Sequence, residues 1–453
     1  MTLGCQMNMS DSERVASVLD AAGCVKVETE EEANIIGILA CSVRQKAIDK
    51  VYNKISVWNK WKNKKNLITF ISGCMLPTDK ERFLKLFDIV FTMPELPQLP
   101  RMLGEYGIAN PMSLIAEPQS AVDEIKLFWK VKPKYDSSFE AFVPIQNGCN
   151  KFCTFCAVPY TRGREISRPS NEILQEVREL AEKGYKTITL LGQNVNSYGL
   201  DKNGHELSFA QLLEKVGQMG EEINNEFWVY FTSPHPRDMT TDIFHTIAKY
   251  ECLGKQIHFP LQSGDEKVLI KMNRKHSVSK YRETMHALRE ILPQTTVFTD
   301  IIVGFTDETD EQLENTRKVM EEFKYNMAYI AMYSPRPGAA SYRWEDTVSL
   351  EEKKKRFAIL SDELAKHTLE YNQAMIGKTV KVLVREHDRK EGYLAGHTEG
   401  KLVIRFKSDN ESLIGQIIPL KITAAAKFSL EGELEKNVES EVFNRKAEVI
   451  SIR

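Results

Sequence analysis

Residues 148–163 read GCNKFCTFCAVPYTRG and place three cysteines, Cys149, Cys153 and Cys156, within eight positions. Thiolates at such spacing hold zinc or an iron-sulfur cluster. A structural zinc site is normally closed by four protein ligands, and this loop has no fourth Cys or His to supply one. Three ligands leave one coordination position open, as a site built for chemistry requires. The chain has eight cysteines in 453 residues, too few and too scattered for a secreted disulfide framework, so metal or redox use is the expectation. Cys24 and Cys252 fall in or beside helical stretches and read as structural thiols.

The elements that must position these thiols follow from hydrophobic periodicity. A chain of 453 residues calls for several domains. Residues 1–110 alternate a helix opening at Ser10 or Asp11, a strand over 33–40 (ANIIGILA), a helix over 43–58, a strand over 66–73 (NLITFISG) and a helix from 78. This is a small parallel α/β unit, flavodoxin-like. Proline-punctuated sequence from MPELPQLP to KVKPKYDSS reads as linker, assigned to 111–139. Over 140–375, six strand candidates (AFVPIQ, KTITLLG, FWVYFTS, QIHFPLQ, TVFTDIIVGF and NMAYIAMYS) alternate with helices and predict a partial (β/α)6 barrel, open on one side. A charged helix over 349–375 ends it. Residues 376–440 carry short strands with turn signals and predict a small all-β barrel, and 441–453 form a C-terminal tail.

On this map the three-cysteine loop follows the first barrel strand, at the face where such barrels bind ligands. Cys41 and Cys74 each follow a strand of the first domain, and Cys5 precedes its first helix. All three therefore converge on the carboxyl edge of one sheet. Any one alone would read as a buried thiol; their shared position points to a second trio, again with one position open. Four residues before Cys5 are too few for a full central strand, so residues are expected to be missing before Met1.

The formal net charge of -2, with 42% hydrophobic and 27% charged residues, fits an ordinary soluble globular chain. No apolar run approaches the roughly 18 residues of a bilayer span and no signal peptide is evident, so a cytoplasmic location is expected. Nucleic-acid binding would have to come from local patches. The runs NKWKNKKN and EEKKKRF read as solvated helix faces. The tail suits RNA better: Lys381, Arg385, Arg389, Lys390, Lys401, Arg405 and Lys407 stand there with Tyr393 and Phe406. Arg162, Arg164 and Arg168 follow the cysteine loop, and Arg336 sits in YSPRPG. Cations there can meet a cofactor carboxylate or an RNA phosphate, or pair with Glu165 or another acid.

The C-x3-C-x-aromatic-C pattern resembles the signature of radical S-adenosylmethionine enzymes. TLGCQMNMSDSERV, ACSVRQKA, SGCM, GCNKFCTFCAVPYTRGREISRP, LLGQNVNSYG, FTSPHP, HFPLQSGD, DIIVGF and YSPRPG, in this order, resemble the methylthiotransferase family over essentially the whole chain. The tail from IGKTVKVLV to AAAKFSL resembles the RNA-binding TRAM domain. The resemblance implies a four-iron four-sulfur cluster on Cys149, Cys153 and Cys156, its fourth iron chelated by S-adenosylmethionine that is cleaved to a 5'-deoxyadenosyl radical. It implies an auxiliary four-iron four-sulfur cluster on Cys5, Cys41 and Cys74 carrying sulfide or persulfide, and a second S-adenosylmethionine as methyl donor. GCQMN and TFCAVPYTRGREISRP are most similar to the MiaB type, which adds a methylthio group at carbon 2 of N6-isopentenyladenosine beside the tRNA anticodon. The alternatives are the RimO type, acting on an aspartate of a ribosomal protein, and the threonylcarbamoyladenosine type. From other classes, an iron-sulfur electron carrier and a zinc-stabilised RNA-binding protein remain open.

The resemblance also nominates Phe155, Gln193, Asn194, Gln262 and Ser263 as cofactor contacts. Arg162, Arg164, Arg336, Lys381, Arg385 and Arg405 are the expected RNA contacts. A monomer served by an electron donor such as flavodoxin is implied. Three departures stand out: ILAC where NTC is usual, placing Leu39 and Ala40 beside Cys41; GFTDET where GFPGET is usual; and His397 where arginine is common.

Overall fold

The computed structural model describes residues 1–42, 45–108 and 120–434. The N-terminal sheet is parallel, in the order Thr2–Leu3, Ile35–Cys41, Ile68–Cys74, Ile89–Val90. Its central strands are mostly apolar and almost wholly buried because both faces are covered. Ile38, Ala40 and Ile71 pack with Val51 and Trp58 on one side, and Leu39 and Phe70 with Val15 and Phe91 on the other. The departures Leu39 and Ala40 are thus core residues. Thr2–Leu3 pairs with Leu39 and Ala40, two residues ahead of Cys5.

The first helix is Gln6–Ala21, opening ahead of the expected Ser10 or Asp11, with Cys5 extended at its N-cap. Ser10 and Asp11 resemble capping residues in sequence but are buried within the helix. The second helix, Gln45–Lys62, starts after two residues outside the described set. The proline-rich stretch is packed: a 3-10 turn Met93–Gln98 and a helix Leu99–Gly104 bury Met93, Leu96, Leu99 and Leu103. A helix Ala121–Lys130, inside the segment read as linker, adds Ile125, Phe128 and Trp129 to the same core. Of that segment 111–119, and at the end of the chain the tail 441–453, lie outside the described residues.

The central unit has six barrel strands: Glu140–Pro144, Thr187–Leu191, Trp228–Phe231, Gln256–His258, Thr296–Val303 and Met327–Met332. They form two parallel three-stranded arcs, and among the described residues the first and sixth strands share no ladder. The 24-residue helix Leu350–Gln373 leads to a closed five-stranded barrel. Its strands are Thr379–His387, Tyr393–Thr398, Val403–Lys407, Ile417–Ala425 and Leu430–Leu434.

The small barrel sits under the amino ends of the large one. Tyr230 donates its hydroxyl hydrogen to Glu399 O at 2.7 Å and Thr296 donates to Gly400 O at 2.6 Å. Trp228, Tyr230 and Leu383 form a shared apolar seam.

Candidate active site

The cysteine loop is shaped by backbone constraints and pinned by neighbours. Gly148 has φ +75°, and a Cβ there would lie 2.1 Å from Arg164 O, so only glycine fits. Phe152 takes the left-handed φ of 51°, unusual for an aromatic residue. Thr154 donates its N–H to Met272 O at 3.0 Å and its hydroxyl to Lys271 O at 2.9 Å. Asn273 donates to Phe152 O at 2.9 Å, and Ser341 N donates to Thr154 O at 2.8 Å. Lys151 makes a buried ion pair with Asp238, which also accepts from Asn194 Nδ2 at 3.1 Å.

Cys149 and Cys153 are buried. Burial pushes the thiol of Cys149 up to about 11 and that of Cys156 up to about 12. Arg274 Nη1 donates to Cys153 Sγ at 3.4 Å. No disulfide joins any of the eight cysteines. Among the described residues no group of three or more His, Cys, Asp and Glu side chains is placed to hold a single metal ion. The donor set itself, three soft sulfurs in a dry loop, suits an iron-sulfur cluster. Buried atoms around it lack protein partners: Arg274 Nε, His235 Nε2 and Asn194 Oδ1. Such atoms fit a polar, zwitterionic cofactor with its own donors and acceptors.

The second trio stands at the sheet edge. Cys41 and Cys74 end adjacent strands as register partners, and Cys5 caps the first helix. Asn8 gathers them: its Oδ1 accepts from Cys5 Sγ at 3.6 Å and Cys74 Sγ at 3.8 Å, while its Nδ2 donates to Ala40 O at 3.2 Å. Cys74 is pushed up by its hydrogen bond with Cys41 and by burial.

Arg162 of the cysteine loop reaches this second trio. Its Nε donates to Cys74 Sγ at 2.9 Å, Nη1 donates to Asn147 Oδ1 at 3.4 Å, and Nη2 pairs with Asp11. Arg162 is therefore no exposed RNA contact; its side chain is 4% exposed, because the N-terminal domain covers it.

The other cations divide by location. Arg385 pairs with Glu140 at 2.8 Å and Lys381 with Glu226 at 2.6 Å, both spanning the two barrels, while the Lys381 side chain stays 58% exposed. Arg405 pairs with Glu431 at 2.9 Å, within the small barrel. Arg336 is half-buried near the second trio, 3.5 Å from Gln45 Oε1. Arg164 is exposed, its guanidinium 4.7 Å over the ring of Phe152, beside exposed Tyr160.

Among the proposed cofactor contacts, Phe155 packs with Val268, Met272, Phe305 and Tyr333. Gln193 lines a cavity of about 750 Å³ that also touches Cys5, His258, Asp300 and Tyr329 and runs down to Arg385 and Lys401. Gln262 is buried with φ 69°, its backbone bridging to Asp300 and Ile302. Ser263 is fully buried, its hydroxyl hydrogen-bonded with Thr316 and accepting from the N–H of Asp265. His397 lines the cavity floor, and burial holds its imidazole down at about 4. Sequence reasoning missed Asn8, Asp11, Lys151, Asp238, His235 and Arg274. The signal available for the first two was the polar run NMSDSE inside a helix that needed no cap there.

The Radical SAM superfamily pattern matches residues 143–320, the uncharacterized protein family UPF0004 matches 1–93, and the TRAM domain matches 373–434. The chain is 38% identical over 440 residues to a tRNA-2-methylthio-N(6)-dimethylallyladenosine synthase of Clostridium botulinum strain Okra, covering 95% of each chain. It is 35% identical over 440 residues to the Hahella chejuensis enzyme of the same name, covering 95% of this chain and 97% of that one. The radical S-adenosylmethionine methyltransferase TsrM of Kitasatospora setae aligns with TM-score 0.49 and 11% identity over 86% of this chain and 73% of its own, too loosely to argue from. On the relatives and the three matched domains together, the chain belongs to the tRNA-2-methylthio-N(6)-dimethylallyladenosine synthase family of radical S-adenosylmethionine enzymes.

Proposed function

We propose that this enzyme inserts a methylthio group at carbon 2 of N6-isopentenyladenosine beside the anticodon of tRNA, consuming one S-adenosylmethionine as methyl donor and one as radical source. The observation that carries the reading is the meeting of two cysteine trios from different domains, with Arg162 of one loop on Cys74 of the other. Carbon 2 of adenine is not acidic, so a side-chain base is a poor means of activating it. When bound, the cluster with S-adenosylmethionine supplies a carbon radical that removes hydrogen there, and a second cluster supplies sulfur as sulfide or persulfide.

The chain's own residues hold and orient. Cys149, Cys153 and Cys156 ligate, and Lys151, paired with Asp238, fixes the loop that carries them. Phe155 walls the site on the side of Phe305, at 6.4 Å between ring centres. Cys5, Cys41 and Cys74 present the second set of thiolates, with Asn8 ordering two of them. The cavity of about 750 Å³ is large enough for a modified nucleoside. An unpaired loop base leaves its stack for such a pocket at small cost. On the cysteine loop, the Phe152 ring under exposed Arg164 offers neighbouring nucleotides a stacking and phosphate contact.

The enzyme is read as a cytoplasmic monomer reduced by a flavodoxin-type one-electron donor. Among the described residues no helix is long and apolar enough to cross a membrane. The test is an anaerobic assay with reconstituted protein, reductant, S-adenosylmethionine and tRNA bearing N6-isopentenyladenosine, read by nucleoside mass spectrometry. One added methylthio group, lost in Cys149→Ala, is expected. Deoxyadenosine formed without modified nucleoside would overturn the substrate and keep the radical chemistry.

A further inference from the structure

Arg162 is a buried cation whose partners lie on both sides of a domain boundary. It ends the short helix Val158–Arg162 that follows the cysteine loop, and its guanidinium is engaged on three nitrogens. Nε meets the Cys74 sulfur at 2.9 Å, Nη1 meets Asn147, and Nη2 meets Asp11 of the first helix. Asp11 is itself 1% exposed at its side chain, and its second oxygen, Oδ1, has no partner. A bare cation buried this deeply would be costly, and Asp11 neutralises it. The arrangement is more than a domain clamp, since a clamp needs the ion pair and has no use for a hydrogen bond on a sulfur.

We propose that Arg162 is a positioning residue for the Cys5, Cys41 and Cys74 site, which it orients through Cys74, and that the Arg162–Asp11 pair sets the reduction potential of the cluster held there. The inference rests on the reading of that trio as cluster ligands. Its physical basis is that a hydrogen bond and a positive charge on a ligand sulfur stabilise the more electron-rich, reduced cluster, raising its potential. A carboxylate close by, as Asp11 is through Arg162, does the opposite. The two partners are therefore expected to act with opposite sign, which a purely structural role would not produce.

The experiment uses the full chain with Cys149, Cys153 and Cys156 changed to alanine, so that only the second site is loaded. Potentiometric titration followed by electron paramagnetic resonance reads the cluster, with iron content and melting temperature measured in parallel. Arg162→Gln is expected to shift the potential to more negative values, Asp11→Asn to more positive ones, and Arg162→Lys to restore part of the first shift. Loss of at least half the iron in Arg162→Gln, with melting temperature held and iron restored in Arg162→Lys, would also support the positioning role. Unchanged potential and iron in both Arg162→Gln and Asp11→Asn would overturn the proposal, as would shifts of the same sign. Failure of all three variants to fold would overturn it too, leaving only a clamp. If the parent with intact Arg162 loads no cluster, the reading of the trio falls and takes the proposal with it; a loaded parent with unresponsive variants sinks the proposal alone.

Discussion

Single residues decide whether the site can assemble. Gly148 occupies φ +75° against the Arg164 carbonyl, a position where any side chain both strains the backbone and collides. Gly148→Ala is expected to cost about 1–3 kcal/mol of local strain and to cut cluster loading at the barrel trio, read by iron content and visible absorption. Glu13 provides a pH signature. Burial, set against a backbone hydrogen bond from Asp136, pushes its carboxyl up to about 7 from 4.5. A raised carboxyl pKa means that the folded state binds more protons than the unfolded one between those values, so stability falls as pH rises from about 4.5 to 7 and then levels. Glu13→Gln keeps the acceptor for Asp136 and removes the charge. It is expected to stabilise the protein by about 3 kcal/mol at pH 8 and to be neutral at pH 4, measured by chemical denaturation at both pH values. What sequence could not reveal at this scale was orientation. Arg162, Arg164 and Arg168 read as one basic run, yet Arg162 turns to Cys74, Arg168 to Glu176, and Arg164 outward over Phe152.

At the scale of elements, periodicity located the strands well because most of them, such as Thr187–Leu191 and Trp228–Phe231, are apolar runs buried on both faces. The six barrel strands fall where the apolar runs stood, and the small barrel gains a fifth strand, Leu430–Leu434, whose LEGEL sequence alternates too weakly to be read. The first helix opens earlier than its polarity suggests for a physical reason: Asn8 turns onto its own sheet edge while Ser10 and Asp11 face the barrel, and a sequence displays polarity without the surface it will meet. The proline-rich stretch misled in the opposite way, since proline ends helices but also opens them, as in Leu99–Gly104. Phe128, on the helix Ala121–Lys130, is buried in the N-terminal core and lies under the Arg14 guanidinium at 5.5 Å. Phe128→Ala is expected to cost about 3–5 kcal/mol in denaturant unfolding, which would not occur if this helix belonged to a free linker.

For the whole molecule, basic residues of the small barrel and of the cysteine loop fall into two kinds that composition cannot separate. Arg385 and Lys381 tie the small barrel to the large one, whereas Arg164, on the cysteine loop, faces outward. Arg164→Ala is expected to weaken tRNA binding and to lower the slope of log affinity against log salt by about one. Arg385→Ala is expected to lower the melting temperature while leaving that slope unchanged. Filter binding across a salt series distinguishes the two; equal slopes in both variants would sink the division. One further consequence follows from the seam where Tyr230 meets Glu399 and Thr296 meets Gly400. The base of the barrel is sealed by residues that leave the ribosome after all six of its strands, so during synthesis the lumen stays open below until the C-terminal domain is complete. The order of translation thus places closure of that end after the small barrel has been made.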